Sequence, residues 1–366
     1  MRRLLSISLA VLLAVGVSIA VARSVQQRTP RAEPAALTTV RGLIGSEKQP
    51  FFADPAVAAA FARHGLRLQI DVAGSRQIAL RSDLSHYDFA FPAGAPAAVK
   101  IKRDHKVPRV YQPFYTPMTV ATFKPIAALL QKAGVMSPFA NGYWRFDLKG
   151  YLDLVARGTR WVDLPGNTAY PANKSVLVSS TDVRTSNSAA MYLAVASYVL
   201  NGDNVVENAG QGDRVAGKVA QLFLRQGFVE GSTEEPFQDY LTIGMGKTPL
   251  VMCYESQYLS RLATRDASIT KDMVLAYPDP TVYSKHTLVP LRPAGDSVGR
   301  LLTTDAELKR LEVVYGFRTA DTTTMREYLV QQGVPAPPFL VDVIEPPTYE
   351  ALEHLITQIE KRYQSS

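Results

Sequence analysis

The sequence predicts an α/β protein whose strands and helices alternate along a chain of 366 residues. The first observation is the strict alternation of apolar and polar residues over residues 66–72, which is typical of a half-buried strand. The second is the helix signal Asp54-Pro55, an N-cap residue followed by proline, which comes after an apolar strand. The third is the uniformly apolar stretch 189–200, which follows a hydroxyl-rich turn and indicates a buried helix. Repeated units of strand, loop and helix favour mainly parallel sheets.

The first part of the chain repeats the order strand, polar loop, helix. One apolar strand leads into Gly45-Ser46-Glu47-Lys48, and the alternating strand leads into Gly74-Ser75-Arg76, where a short helix begins. A short apolar strand follows, and then an extended segment that is interrupted by proline and rich in aromatic and β-branched residues. This last segment is predicted to cross into a second lobe. The predicted strands cover residues 37–44, 66–72, 87–91 and 110–122.

The middle of the chain changes mainly to helices, and strands return in its last part. Glycine ends the first two of these helices, and several others carry their apolar residues on one face. The capping box Thr304-Asp305-Ala306-Glu307 opens one helix, and Pro346-Pro347 precedes the last. The predicted helices are 125–133, 147–156, 189–200, 213–226, one from 305 and one after 347, and the predicted strands are 176–178, 250–254, 273–277 and 287–291.

Composition and charge exclude several classes of protein and binding site. With 46% hydrophobic and 20% charged residues, the chain lies in the range of ordinary globular proteins. The 40 Lys and Arg residues outnumber the 33 Asp and Glu residues but are scattered singly, which argues against a nucleic-acid partner. The single cysteine, Cys253, excludes an internal disulfide and a multi-thiolate zinc site, and its apolar flanks predict a buried side chain. The 5 histidines share no metal-ligand spacing, so neither a metal nor a cofactor is expected.

The first residues are predicted to direct export. Arg2 and Arg3 form a positive region, residues 4–21 are uncharged, and Ala20-Val21-Ala22 offers a cleavage site of small residues. The apolar run is long for a cleaved leader and long enough to cross a bilayer, so residues 1–22 are either a signal peptide or a membrane anchor. Residues 23–36 lack an apolar period and are predicted to form a tether. The protein is therefore expected to be periplasmic or extracellular, with or without an N-terminal anchor.

Three turns carry small polar residues where strands are predicted to end and helices to begin. They are Gly45-Ser46-Glu47, Gly74-Ser75-Arg76 and Thr185-Ser186-Asn187-Ser188. In open α/β sheets, ligands bind beyond the carboxyl ends of the strands, where helices present free N–H groups and the positive end of their dipoles. Neutral hydroxyls and amides in such places satisfy a dehydrated anion without burying an unpaired cation. The net charge of +7 also favours an anionic ligand.

These residues resemble the type II periplasmic solute-binding proteins of ABC transporters, nearest to the molybdate-, sulfate- and phosphate-binding branch. The resemblance extends over residues 37–320 and rests on the order and spacing of several segments. Those segments are Leu43-Ile44-Gly45-Ser46-Glu47-Lys48, Gly74-Ser75-Arg76-Gln77-Ile78-Ala79, residues 111–122, Thr185-Ser186-Asn187-Ser188-Ala189-Ala190, residues 274–277 and 287–291, and Tyr315-Gly316-Phe317.

The resemblance implies a two-lobed clamshell with a double hinge, which closes on a ligand and passes it to a membrane permease. Lobe I is expected to comprise residues 37–115 and 275–366, and lobe II residues 116–274. Carried over position by position, the resemblance implies ligand-binding roles for Ser46, Ser75 and Ser188, for Arg76, Ser186 and Asn187 beside them, and for Tyr254 and Glu255 at the end of a returning strand.

The implied ligand is a small molecule, with an oxyanion favoured. Glu255 suits an anion only if its carboxyl is protonated, paired or turned away, and otherwise indicates an amine or a hydroxyl on the ligand. The implied protein is a monomer without catalytic activity that works with an ABC permease.

Two other functions remain open. The same fold with a retained N-terminal helix would serve as a membrane-tethered sensor or recruiting subunit. Gly295-Asp296-Ser297-Val298-Gly299 also matches the nucleophile elbow of a secreted serine hydrolase using Ser297, and it is followed in hydrolase order by Asp305, Asp342 and His354. Against this, Pro290 and Pro293 interrupt the strand that should lead to Ser297. The match is therefore interpreted as a turn rich in proline and glycine.

Overall fold

The computed structural model describes residues 37–226, 231–232 and 234–364. The signal peptide or membrane anchor predicted for residues 1–22 and the tether predicted for residues 23–36 lie outside the described residues. None of the helices in the described ranges has the length and apolarity needed to cross a membrane.

The described strands join in one mixed sheet. They are β1 (Thr38–Ile44), β2 (Leu66–Val72), β3 (Phe89–Phe91), β4 (Tyr111–Phe123), β5 (Met136–Pro138), β6 (Trp144–Asp147), β7 (Leu250–Tyr254), β8 (Met273–Asp279), β9 (Thr281–Pro290), β10 (Arg318–Thr319) and β11 (Val343–Ile344). The main order is β2-β1-β3-β9-β4-β8-β6-β5, with β7 and β10 also paired to β4 and β11 paired to β9.

Helices alternate with the strands, so the predicted α/β class is confirmed. Polar caps begin several of them: the carboxylate of Asp54 accepts the N–H of Ala56, and that of Asp305 accepts the N–H of Leu308. The helices are α1 (Gln49–Ala53), α2 (Pro55–Arg63), α3 (Ser75–Leu80), α4 (Ala95–Asp104), α5 (Lys124–Lys132), α6 (Leu148–Ala156), α7 (Asn187–Leu200), α8 (Ala209–Leu224), α9 (Glu234–Thr242), α10 (Glu255–Ala263), α11 (Pro293–Thr304), α12 (Ala306–Val314), α13 (Thr322–Gln331) and α14 (Tyr349–Tyr363).

One long strand, β4, links two lobes. Its first half pairs with β9, from Tyr111 opposite Leu288 to Pro117 opposite Tyr283, and its second half pairs with β7 and β8. These pairs are antiparallel, because β8 and β9 carry the chain back across the boundary that β4 crosses. Parallel pairs occur between β1 and β3, between β6 and β8, and between β9 and β11. The crossing strands thus make the sheet more mixed than the mainly parallel sheets that the alternation predicts.

In the first lobe, the sheet separates two hydrophobic clusters. Ile44 of β1 and Phe89 of β3 belong to one cluster, whereas Leu43 and Ala90, which neighbour them in the chain, belong to the other. Successive side chains of a strand point to opposite faces, so these strands require a covering layer on both sides. Both faces of β1 and β3 are therefore covered by apolar side chains.

One large hydrophobic cluster includes the buried helix α7 and the strands β7 and β8 of the second lobe, and it extends to Met325 and Leu329 of α13. Leu352, Leu355 and Ile359 of the last helix, α14, belong to the same cluster. The predicted boundaries assign residues 275–366 to the first lobe. The last helix nevertheless packs against α8, which lies within the predicted second lobe.

Two local predictions are wrong. Residues 176–178 form no strand, and the described chain on either side makes only isolated bridges, between Arg160 and Ser175 and between Ser179 and Val251. The segment interpreted as a turn around Ser297 is the helix α11, which begins at Pro293. Proline suits the first position of a helix because its missing N–H would have no intrahelical partner there.

Candidate functional site

A cavity of about 180 Å³ lies between the two lobes, which we call the cleft cavity. Ser46 and Ser75 line it from the first lobe, and Ser186, Asn187 and Tyr254 line it from the second. The structure therefore brings together five of the residues that the sequence singles out. The volume far exceeds the roughly 10–15 Å³ that one water needs and lies below the ~300–1,000 Å³ typical for drug-sized ligands. The cleft cavity has the size of a site for a small solute.

Helix N-termini surround the cleft cavity. Ser75 is the first residue of α3, Ser186 is the N-cap of α7, and Tyr254 is the N-cap of α10. Ser46 begins the short 3-10 turn Ser46–Lys48. The first N–H groups of a helix have no partner within the helix, and the helix dipole favours negative charge near them. Hydrogen-bond donors are therefore concentrated around the cavity.

The two lobes approach each other closely beside the cleft cavity. A Cβ atom added at Gly74 would lie 2.1 Å from the carbonyl oxygen of Thr185. Asn187 Nδ2 donates to the hydroxyl oxygen of Ser284 at 3.1 Å and to that of Tyr254 at 3.0 Å. The φ angle of Gly74 is −65°, which any residue adopts, so the close approach of Thr185 is what requires glycine. The two lobes are therefore in contact on this side of the cleft cavity.

Ser188 lies behind the cleft cavity and does not line it. Its hydroxyl oxygen is 3.0 Å from that of Ser186 and 2.9 Å from that of Thr181, and its side chain is buried. Helical geometry explains the difference, because Ser186 precedes the first turn of α7 whereas Ser188 lies within it. Ser188 therefore supports the position of Ser186.

Arg76 turns away from the cleft cavity towards the last helix. Its Nε donates to both carboxylate oxygens of Glu353 at 2.9 Å, and its Nη1 donates to Glu360 at 2.9 Å and to the carbonyl oxygen of Arg184 at 3.0 Å. The hydrogen bonds to Glu353 raise the pKa of the Arg76 guanidinium above its ordinary value. Because these donors are engaged by α14, Arg76 is not among the residues that line the cleft cavity.

Glu255 is both paired and turned away, and either of these conditions makes it compatible with an anionic ligand. Its carboxylate accepts hydrogen bonds from Arg318 Nε at 2.7 Å and from the hydroxyl of Tyr277 at 2.6 Å. The side chain is fully buried and is not part of the cleft-cavity wall. Glu255 thus has a structural partner in place of a ligand.

Among the described residues that line the cleft cavity, only Glu47 carries a charge. Its carboxylate contacts the ammonium of Lys48, and Lys48 Nζ lies 3.1 Å from His286 Nδ1. Lys48 and His286 are both 0% exposed. The sequence did not single out Glu47 or Lys48 as ligand-binding residues, because charged residues in a turn are usually solvated. One feature of the sequence does point to Glu47 as a residue of the site: it directly follows Ser46 in one of the three turns.

The charge states of this buried cluster follow from its contacts. Burial opposes ionisation of Glu47, but the charge of Lys48 and the contacts of His286 outweigh it and lower the pKa of Glu47 to about 2. Burial and the charge of Lys48 lower the pKa of His286 to about 4, so this imidazole is neutral at neutral pH. Burial also lowers the pKa of Lys48, and Glu47 acts in the opposite direction. The negative charge of this cavity-lining residue is therefore balanced by the ammonium of Lys48, which is in contact with its carboxylate.

The pH dependence of stability is expected to report the neutral state of His286. Its pKa is about 4 in the folded chain and 6.5 as the ordinary value, so the unfolded chain takes up this proton first as the pH falls. The stability from His286 is complete above about pH 6.5 and is lost towards about pH 4, by about 3 kcal/mol in total. Urea unfolding between about pH 7 and pH 4 should show this additional loss in the wild type and not in His286→Gln.

The comparison of these two proteins separates the contribution of His286 from that of the buried acid Glu312. Burial raises the pKa of Glu312 well above its ordinary value, so this group lowers stability as the pH rises above that value. Its contribution is common to the wild type and His286→Gln and cancels in the difference. Parallel pH profiles for the two proteins would contradict a buried neutral imidazole at position 286.

Other candidate reactive groups do not assemble. In the part of the chain that the structure describes, no group of His, Cys, Asp and Glu side chains could hold a metal ion. Cys253 is buried, as predicted, and burial raises its pKa to about 12. Ser297 lies inside α11 with its hydroxyl 3.4 Å from the carbonyl oxygen of Pro293, and His354 pairs with Asp213 at 2.8 Å. These residues do not form the nucleophile elbow and triad of a serine hydrolase.

The architecture is that of the type II periplasmic binding proteins. No protein-family model matches the sequence, and no curated protein matches it. Solved structures do match the fold. The sulfate-binding protein SubI from Mycobacterium tuberculosis H37Rv superposes with a TM-score of 0.50 and 16% identity, over 89% of this chain and 99% of that one.

Two further solved structures give the same result. The periplasmic binding protein AfuA from Actinobacillus pleuropneumoniae, with fructose-6-phosphate bound, has a TM-score of 0.52 and 10% identity, over 89% of this chain and 96% of that one. Iron-bound HitA from Pseudomonas aeruginosa has a TM-score of 0.52 and 11% identity, over 89% and 99%. At these identities the likeness establishes the fold, and the two-lobed clamshell predicted from the sequence is confirmed.

Proposed function

We propose that the protein is the extracytoplasmic solute-binding component of an ABC importer and holds a small solute in the cleft cavity. The observation that carries the proposal is the convergence of Ser46, Ser75, Ser186, Asn187 and Tyr254 on one cavity of about 180 Å³. The fold supports it, because the solved structures that share the fold include a sulfate-binding protein, a complex with fructose-6-phosphate and an iron-bound protein.

A small oxyanion is the ligand that we favour for this site. Hydroxyls and helix N-termini donate hydrogen bonds to an anion without adding an unpaired positive charge. Glu47 does not oppose such a ligand strongly, because Lys48 is in contact with its carboxylate and balances it. A ligand that carries a hydroxyl beside its anionic group would also donate to Glu47. The proposed site thus accepts an oxyanion or a small phosphorylated solute.

Closure of the lobes is the proposed response to the ligand. The strands β4, β8 and β9 run between the lobes and are the proposed double hinge. A solute that contacts both lobes binds the closed form more tightly than the open form, and it shifts the population by that difference in affinity. The approach of Gly74 to Thr185 belongs to the closed form. The permease would then distinguish the closed form from the open one.

Gly74→Ala is expected to weaken solute binding by about tenfold or more, because the added methyl group obstructs closure. That carbon would lie 2.1 Å from the backbone oxygen of Thr185. Because this oxygen belongs to the backbone, rotation of a side chain cannot relieve the clash. The matched control is Gly217→Ala in α8, where nothing lies within 4 Å of the added carbon. Thermal shifts of the full chain with sulfate, molybdate, phosphate and fructose 6-phosphate, and with a neutral sugar and an amino acid, measure the effect.

The outcomes separate the parts of this proposal. A solute at about a hundred times its Kd should stabilise the wild type and Gly217→Ala by about 2.7 kcal/mol, and Gly74→Ala by much less. A shift with the sugar or the amino acid alone would refute the oxyanion preference and leave the solute-binding role intact. No shift of the wild type with any of these solutes, or an undiminished shift in Gly74→Ala, would refute solute capture by closure.

A membrane-tethered sensor or recruiting subunit is the second candidate, and the last helix favours it. Leu352 and Leu355 of α14 pack in the core of the second lobe, while Glu353 and Glu360 pair with Arg76 of the first. A helix bound to both lobes would hold them closed without a solute. Small-angle X-ray scattering discriminates the two candidates: a radius of gyration that shrinks when a solute binds supports the transport role, and a compact, unchanging one supports the sensor.

A further inference from the structure

A second cavity, of about 650 Å³, lies within the second lobe. Its wall is formed by the loop from Arg160 to Ser180, the end of α8 and the segment 247–249 that leads into β7. The described residues that line this cavity are all different from those that line the cleft cavity. Its volume is within the ~300–1,000 Å³ range of small-molecule sites. The second cavity therefore has room for a ligand larger than the cleft cavity can hold.

Positive side chains dominate the wall of the second cavity, which we call the cationic cavity. Arg160, Lys174, Arg225 and Lys247 line it, and Asp239 is the one acidic residue among the described lining residues. Asp239 forms an ion pair with Lys247. The remaining three cations give the wall an excess of positive charge.

Within the described part of the chain, the side-chain contacts of Arg160 and Arg225 do not balance their charges. The guanidinium of Arg160 donates to the side-chain oxygen of Asn173 at 2.9 Å, and that of Arg225 donates to the carbonyl oxygen of Val155 at 3.0 Å. Both acceptors are neutral, so they orient the guanidinium groups without balancing them. Lys174 is exposed at the same wall. Arginine forks oriented in this way suit phosphate and carboxylate groups, which accept two parallel hydrogen bonds.

A buried hydroxyl provides an independent sign of a ligand. Ser180 lines the cationic cavity with 5% of its surface exposed, and its Oγ has no hydrogen-bond partner among the described residues. Its backbone N–H donates to Gln226 Oε1 at 2.7 Å, which fixes the residue in place. A buried hydroxyl without a partner is unfavourable, and a ligand oxygen in the cavity would accept a hydrogen bond from it.

We propose that the cationic cavity is a second binding site, for a small solute that carries more than one negative charge, such as an oligophosphate or a tricarboxylate. The cleft cavity does not compete for such a solute, because it is smaller and the charged residue in its wall is Glu47. A multiply charged anion is attracted to the wall that carries an excess of cations. This site would act alongside the proposed cleft function and does not depend on it.

Isothermal titration calorimetry of the full chain with tripolyphosphate tests the proposal. Wild-type binding should weaken as salt is raised, because exposed charges are screened. Lys174→Glu and the double variant Lys174→Glu/Arg225→Glu should lower the affinity by about tenfold or more. The matched control is Lys132→Glu/Lys218→Glu, which makes the same change in net charge at exposed lysines outside the cavity. Ser180→Ala should lower the affinity by a smaller factor without altering charge.

Three results would overturn the second site. If Lys132→Glu/Lys218→Glu loses as much affinity as Lys174→Glu/Arg225→Glu, tripolyphosphate responds to the overall charge of the protein and not to the cationic cavity. A loss of binding in Gly74→Ala would mean that it occupies the cleft cavity, whereas the proposal expects this variant to bind it normally. An absence of binding to the wild type at millimolar tripolyphosphate and low salt would also overturn it. None of these measurements depends on whether the cleft cavity binds a solute.

Discussion

Replacing Glu47 with glutamine is expected to destabilise the folded chain by about 3–5 kcal/mol, because it leaves the ammonium of Lys48 buried without a counter-charge. The side chains of Lys48 and Glu47 are 0% and 6% exposed. The other polar neighbour, His286, is held neutral by its pKa of about 4 and does not replace the lost charge. The ring of Phe91, 4.7 Å from Lys48 Nζ, offers only the weaker attraction of a cation to an aromatic face. Urea unfolding of the full chain at neutral pH measures the loss.

A double variant tests whether charge is the cause. Glu47→Gln/Lys48→Met removes both charges and should regain most of the lost stability. The exposed pair of Arg310 and Glu307 provides the matched control, and Glu307→Gln there should cost much less stability, because solvent screens an exposed pair. A double variant as unstable as Glu47→Gln alone would show that the shape of the Glu47 side chain, and not its charge, stabilises this turn.

The proximity of the turns that contain Ser46 and Ser75 could be predicted from the sequence, because it follows from the order of the strands. Ser46 follows β1 and Ser75 follows β2, and these strands are neighbours in the sheet. The N–H of Ala73 donates to the carbonyl oxygen of Ile44 at 3.0 Å, which holds the two strand ends side by side. Small polar residues after buried strands mark such ends in the sequence, so the pattern contains the information that the fold uses.

The partners of the charged residues could not be predicted in the same way. Arg76 is 277 positions from Glu353, and Lys48 is 238 positions from His286. Spacing patterns report neighbours on one helix or strand, whereas these pairs depend on how distant elements pack. An arginine at the start of a helix after a glycine-serine turn has the same local signature whether it binds a solute or a glutamate. The sequence therefore assigned Arg76 to the ligand, and the structure pairs it with α14.

The last helix is a second case in which a local sequence pattern does not report contacts with distant elements. Its apolar period correctly predicts an amphipathic helix after Pro346-Pro347. The period does not indicate which core receives that face, and Leu352 and Leu355 pack in the second lobe. The helix therefore has contacts on both sides of the predicted boundary, with α8 and with Arg76, which chain order alone does not reveal.

Replacing Arg318 with methionine is expected to cost about 3–5 kcal/mol, because it leaves the carboxylate of Glu255 buried without its counter-charge. The two side chains are 12% and 0% exposed. Arg318 donates through Nε and Nη2 to both carboxylate oxygens, at 2.7 and 2.6 Å, and the hydroxyl of Tyr277 adds one neutral hydrogen bond at 2.6 Å. Urea unfolding of the full chain measures the effect.

The position of this ion pair makes the change informative about the hinge as well. Arg318 lies opposite Tyr115 in the pairing of β10 with the crossing strand β4, and Glu255 begins α10 of the second lobe. Arg318→Lys keeps the charge but not the two-pronged geometry, so it should lose only about 1–2 kcal/mol. Glu255→Gln/Arg318→Met should recover most of the loss, since neither charge remains. If Arg318→Met unfolds at the same urea concentration as the wild type, the hydrogen bond from Tyr277 alone sustains Glu255, and the pair does not stabilise the crossing between the lobes.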